Sequence, residues 1–132
     1  MKKLLLVAIF IALCAHASAA NRFFLNNGAN FSSTANWSTT SGGAGGASVP
    51  GTADVAFFDI NSGACTVDAN ISVLGIDSTG YTNTLTQGAF AIIVGASDLK
   101  WVTGTFIGSA SAITVTGSML VTGGTFTNTS GI

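Results

Sequence analysis

Glutamate does not occur in this 132-residue chain, histidine occurs once (His16), proline once (Pro50), and charged residues make up 7% of the whole. Each shortage removes a class of chemistry. The lone histidine lies in a segment that reads as an export leader. Lys2 and Lys3 form a short positive start, Leu4 to Leu13 is an unbroken apolar run, and Ala17-Ser18-Ala19 is an A-x-A cleavage site. The apolar run is too short to cross a hydrocarbon core, which needs about 20 apolar residues. Leu13 stands before Cys14 where a lipidation motif needs Gly, Ala or Ser, so a cleaved leader over residues 1–19 is expected rather than a membrane or lipid anchor.

Cleavage after Ala19 removes His16, Lys2 and Lys3. It leaves Arg22 and Lys100 against Asp54, Asp59, Asp68, Asp77 and Asp98, two bases against five acids and a net charge of −3. No basic patch remains, so nucleic acid is not an expected partner. Without histidine there is no Ser-His or Cys-His pair for nucleophilic catalysis. A Ser-Lys pair would have to use Lys100, which is expected to face solvent between Leu99 and Trp101. Without histidine or a second cysteine no zinc site forms. Cys65 alone allows no intrachain disulfide and is expected to be buried and inert.

What is present is Gly, Thr, Ser, Ala and Asn, with Val, Ile, Leu and Phe set among them. That apolar content argues against disorder. The glycines, the β-branched residues and the lack of a 3.6-residue apolar stripe argue against helix beyond the leader. The second half repeats. Ile71-Ser72-Val73, Ile92-Ile93-Val94 and Ile113-Thr114-Val115 recur at offsets of 21. Thr84-Leu85-Thr86, Thr105-Phe106-Ile107 and Thr125-Phe126-Thr127 recur at 21 and then 20. A third set, Leu74-Gly75-Ile76, Leu99-Lys100-Trp101 and Met119-Leu120-Val121, aligns less well.

A unit of 20–21 residues with three short strands predicts an all-β, right-handed parallel β-solenoid of about three coils over residues 61–132. An antiparallel sandwich also gives short alternating strands, but not fixed-offset repetition. Alternation along each strand places three ladders inside: Ile71, Ile92, Ile113; Val73, Val94, Val115; and Leu85, Phe106, Phe126. Gly88, Gly95, Gly104, Gly117, Gly123 and Gly124 fall at the corners. Cys65-Thr66-Val67 opens the stack with Cys65 and Val67 inward. Residues 20–60 are read as an N-terminal cap outside the repeat, with Trp37 and the phenylalanines over the first coil. No polar segment closes the far end after Thr127, so this sequence is expected to be part of a longer chain.

Asn36-Trp37, Val49-Pro50-Gly51, Asp54, Ala56, Phe57, Thr66-Val67 and Gly123-Gly124-Thr125-Phe126 together resemble the start of bacterial surface proteins built from β-strand repeats, such as autotransporter-like passengers. The resemblance implies a secreted or outer-cell-surface β-helix, adhesive or scaffolding. The expected partners are surface glycans, host or matrix proteins, or further coils of the same chain. Residues 1–132 do not include the C-terminal membrane barrel of the autotransporter pattern, and no membrane span is expected in the mature part.

The remaining candidates for chemistry are carboxylates, loops and an outward row of threonines. Asp68, Asp77 and Asp98 are the carboxylates a polysaccharide-cleaving β-helix would use, but each also suits a turn that accepts backbone hydrogen bonds. Asp59-Ile60-Asn61-Ser62-Gly63 begins like a calcium loop without its later acidic ligand, and Gly42 to Gly46 lacks the Lys-Ser/Thr of a phosphate loop. No cofactor, metal or catalytic residue is therefore expected. The remaining candidate is an outward ligand face of Thr84, Thr86, Thr105, Thr125 and Thr127, interrupted by Ile107. Such a flat array is similar to the faces of ice-binding solenoids, the alternative to an adhesive role; plain β-propensity of threonine also produces it.

Overall fold

A computed structural model describes residues 19–129 of the chain. All of the expected leader except Ala19 lies outside the described residues. The first segment contains β1 (Ala20–Phe24), a 3-10 turn (Thr34–Asn36), β2 (Trp37–Ser38) and β3 (Asp54–Phe57). Next come β4 (Cys65–Thr66), β5 (Ile71–Val73) and β6 (Gly75–Asp77), then β7 (Thr84–Thr86), β8 (Ile92–Val94) and β9 (Leu99–Trp101). The last are β10 (Thr105–Ile107), β11 (Ile113–Val115), β12 (Met119–Val121) and β13 (Thr125–Thr127).

From β3 onward, every third strand falls in the same sheet. The orders are β12-β9-β6-β3-β1-β2, β13-β10-β7-β4 and β11-β8-β5, and all pairings are parallel except β1 with β2. This is a β-solenoid of about three coils. Ile71, Ile92 and Ile113 lie in register, as do Val73, Val94 and Val115. Cys65, Leu85, Phe106 and Phe126 form the third inward ladder. A fourth, Ala56, Ile76, Leu99 and Met119, lines the long sheet. Backbone hydrogen bonds run mainly from coil to coil, as from Gln87 N–H to the Ile107 carbonyl at 2.8 Å and from Ile92 N–H to that of Ala112 at 3.0 Å. A single coil thus has few bonds of its own, and its stability comes from its neighbours.

The set of strands that aligned poorly in the sequence has a specific cause. Ile76, not Leu74, pairs with Leu99, and Asp77 pairs with Lys100. Only residues 74–75 separate Val73 from Ile76, whereas residues 95–98 separate Val94 from Leu99. The next corner compensates: residues 78–84 lie between Asp77 and Leu85, against 101–105 between Lys100 and Phe106. The longer corner inserts Tyr81 into the core, where its hydroxyl donates to the Gly63 carbonyl at 2.9 Å. One strand has slid by two residues while its neighbours keep the 21-residue offset.

The corners use backbone freedom unevenly. Gly88, Gly104 and Gly124 have positive φ, and so does one non-glycine, Asp98, at 70°. At Gly104 a Cβ would lie 2.6 Å from the Tyr81 ring, so both the dihedral and the space require glycine there.

Stacking reaches further toward the N-terminus than the repeat pattern suggests. β3 pairs with β6 through Val55 and Gly75, an offset of 20, and β1 pairs with β3 at Ala20 and Asp54. Antiparallel β2 then lies along the outer edge of β1, with Phe24 opposite Trp37. Trp37 is fully buried, packs edge-on against Phe24, Phe31 and Phe58, and donates its indole N–H to the Phe31 carbonyl at 2.7 Å. Residues 29–31 cover β4 in the same way, through Thr66 N–H to the Ala29 carbonyl and Phe31 N–H to the Thr66 carbonyl. Among the described residues no helix is long and apolar enough to cross a membrane.

Candidate functional site

The face built by β4, β7, β10 and β13 carries the sequence-predicted threonines. In these strands the middle residue or its equivalent turns inward: Cys65, Leu85 and Phe106 are buried, and Phe126 is half-buried at the last coil. The Phe106 and Phe126 rings stack at 4.5 Å with an interplanar angle of 14°. That ladder holds the strands in register, so the flanking residues must project outward as rows.

All five predicted residues come together on this face. One row is Thr84, Thr105 and Thr125; the other contains Thr86, Ile107 and Thr127. Thr66 begins the second row beside Thr86. It was not among the expected ligand residues, although its 20-residue spacing from Thr86 was visible in the sequence. Thr84, Thr86 and Thr105 are half-buried, Thr125 and Thr127 are exposed, and Ile107 is 45% exposed. Parallel strands lie about 4.8 Å apart and alternate residues about 6.7 Å apart, which sets the grid of methyl and hydroxyl groups.

The carboxylates are engaged in holding the backbone. Asp68 accepts from the amide and hydroxyl of Ser32 at 2.9 and 2.6 Å, tying the first loop to the opening coil. Asp54 accepts from Gly51 N–H at 3.0 Å, Asp59 from Asn61 N–H at 2.8 Å, and Asp98 from Ser118 N–H at 2.7 Å. Asp59 and Asn61 thus close a turn on themselves. Among the described residues no group of three His, Cys, Asp or Glu side chains is placed to hold a metal ion, and no cleft is formed.

Lys100 keeps an exposed side chain but is not free in solvent. Its Nζ lies 3.1 Å from Asp77 Oδ2 and 3.1 Å from Thr79 Oγ1. Burial alone would raise the Asp77 carboxyl. Hydrogen bonds from Thr79 and the Lys100 charge outweigh it and hold the group below its ordinary value. A depressed folded-state pKa contributes stability above the unfolded value, and that contribution is lost as pH falls through the folded value. Asp77→Asn is therefore expected to lower stability at neutral pH by about 0.5–1 kcal/mol. The gap to wild type should close in acid, as read by urea denaturation at a series of pH values.

Cys65 sits at the start of the inward ladder, 1% exposed, and burial pushes its thiol well above the usual range, with the Asp68 charge adding to the effect. A buried thiol that stays protonated is a poor nucleophile. Iodoacetamide is expected to leave Cys65 unlabelled in the native protein at pH 8 and to label it fully in urea, as read by intact mass. Tyr81 is likewise pushed upward by burial. No family model, curated protein or solved structure matches the chain.

Proposed function

We propose that this chain is a secreted or cell-surface structural module that makes adhesive contacts through the lateral faces of its solenoid and carries out no catalysis. The observation that carries this reading is the pair of threonine rows, kept in register over successive coils by the Cys65, Leu85, Phe106, Phe126 ladder. Such a face offers hydroxyls and methyls on a repeating grid, suited to extended partners such as surface glycans or matrix proteins. The residues with chemistry to offer are occupied elsewhere: the aspartates in turns and loops, Lys100 with Asp77, and Cys65 in the core. The apolar leader and the resemblance to bacterial strand-repeat surface proteins support the location. Binding of the labelled protein to a glycan array and to immobilised matrix proteins tests it. Signal reduced by Thr105→Lys supports the threonine face, and no binding to any surface sinks the adhesive reading. Release of reducing ends from a polysaccharide panel would reverse the non-catalytic assignment.

The same rows favour a second reading, ice binding. Thr84, Thr105 and Thr125 form an unbroken row, and Thr66, Thr86 and Thr127 form one broken only by Ile107. An ice-recrystallisation assay separates the two: inhibition that is lost in Thr105→Lys favours ice, and no inhibition removes it.

A further inference from the structure

The charges of the described residues are segregated. Arg22, Asp54, Asp77 and Lys100 lie on the long sheet, and Asp59, Asp68 and Asp98 lie at corners. Strands β4, β7, β10 and β13 hold none, and the carboxylate that follows β4, Asp68, is engaged by Ser32. Polyanions are captured by basic side chains, and this face offers none. An acidic glycan or a charged peptide therefore finds no counter-charge on it.

The second threonine row is also longer than its strands. Asn30 bridges to Thr66 in parallel, with its side chain exposed while the next residue, Phe31, is buried. The row is thus Asn30, Thr66, Thr86, Ile107 and Thr127. Its four steps of about 4.8 Å span roughly 19 Å. Ile107 is its one apolar member, 45% exposed on a strand with a neighbour on each side. It has no hydroxyl to offer a lattice of water, so it interrupts a grid for ice. It suits a ligand that presents C–H groups beside hydroxyls, as a pyranose ring does. No cleft surrounds the row among the described residues, so a single sugar is held by few contacts. A chain of sugars repeated along the row adds such contacts up.

We propose that this face takes an extended, uncharged polysaccharide laid along the row from Asn30 to Thr127, with Ile107 seated against the C–H face of a sugar ring. The proposal rests on the adhesive reading and narrows it to one class of ligand.

Depletion of the protein, recovered from an exporting host, by microcrystalline cellulose and by chitin, against alginate gel and heparin beads, tests it at low and high salt. Binding to cellulose or chitin is expected, unchanged by salt because no ion pair is there to screen. Ile107→Thr keeps a β-branched residue at an exposed strand position. It is expected to weaken that binding roughly fivefold, the loss of about one buried methylene group. Ile107→Leu keeps the apolar group and is expected to retain binding. Circular dichroism checks the fold of both variants. Binding to alginate or heparin alone, binding that falls with salt, or binding unchanged in Ile107→Thr overturns the proposal. So does a gain of ice-recrystallisation inhibition in Ile107→Thr, which assigns the row to ice. Binding to matrix proteins with none to cellulose or chitin overturns it while the adhesive reading stands, and binding to no surface sinks both.

Discussion

Phe106→Ala is expected to destabilise the protein by about 3–5 kcal/mol, the range for emptying a buried aromatic site. The ring is 1% exposed, paired in register with Leu85 on one coil and Phe126 on the next, and packed edge-on against Trp101. Removing it severs contact between stacked coils as well as the contact with Trp101 across the adjoining corner. Stability in a solenoid is close to a sum of coil terms and interface terms, so a broken interface can uncouple what lies on either side. The two tryptophans report on this separately, since Trp37 sits at the covered end and Trp101 under the last coil. Urea denaturation of Phe106→Ala, followed by fluorescence in a Trp37→Phe background and in a Trp101→Phe background, is expected to show the Trp101 region unfolding at lower urea. Coincident transitions, or a loss under 1 kcal/mol, would contradict this account.

Gln87→Leu is expected to cost about 2–3 kcal/mol, although it replaces a polar side chain in the interior by an apolar one of similar size. Gln87 is fully buried at the corner between β7 and β8. Its Nε2 donates to the Phe90 and Ser111 carbonyls, each at 3.0 Å, and its Oε1 accepts from Ser109 N–H at 2.9 Å. One amide thereby satisfies backbone groups in its own coil and the next. Leucine leaves those groups unpaired, at about 1–3 kcal/mol for each that water cannot reach. Gln87→Glu separates the hydrogen bonds from the volume. Its carboxylate can still accept from Ser109 but cannot donate to the carbonyls. It is expected to be destabilised at neutral pH and partly restored in acid, where the carboxyl regains a proton to donate. Thermal melts of both variants at neutral and acid pH are the measurement, and a Gln87→Leu protein as stable as wild type would refute the role.

The solenoid was legible because its inward residues are unambiguous. Ile71, Ile92 and Ile113 recur at one offset, and one-residue slips would turn every apolar side chain to solvent. The same logic exposed the threonine rows, which are the outward counterpart of the Leu85, Phe106 and Phe126 ladder. The long sheet was harder to read. Gly75 and Asp77 do not look like core-strand residues, and two corners of different length moved β6 by two positions without altering the total. Leu74 therefore attracted an alignment that belongs to Ile76. The first segment was obscured for another reason. β1 and β3 lie 34 residues apart because the loop between them makes β2 and the aromatic cover, so stacking there has no fixed period. Gln87 gave no signal at all, since its role depends on carbonyls more than 20 residues away that only the coil geometry brings near.

The covered end is also the end that leaves the ribosome first. Once the chain has been extended past Val67, Trp37 and the strands around it have a finished surface to offer. Each later coil then meets a ready template as it emerges, so delivery of an exported chain N-terminus first would supply the order of assembly. Refolding from denaturant has no such schedule: any coil can pair with any similar neighbour, and the repeats that make the structure regular also make such misregistered pairings available.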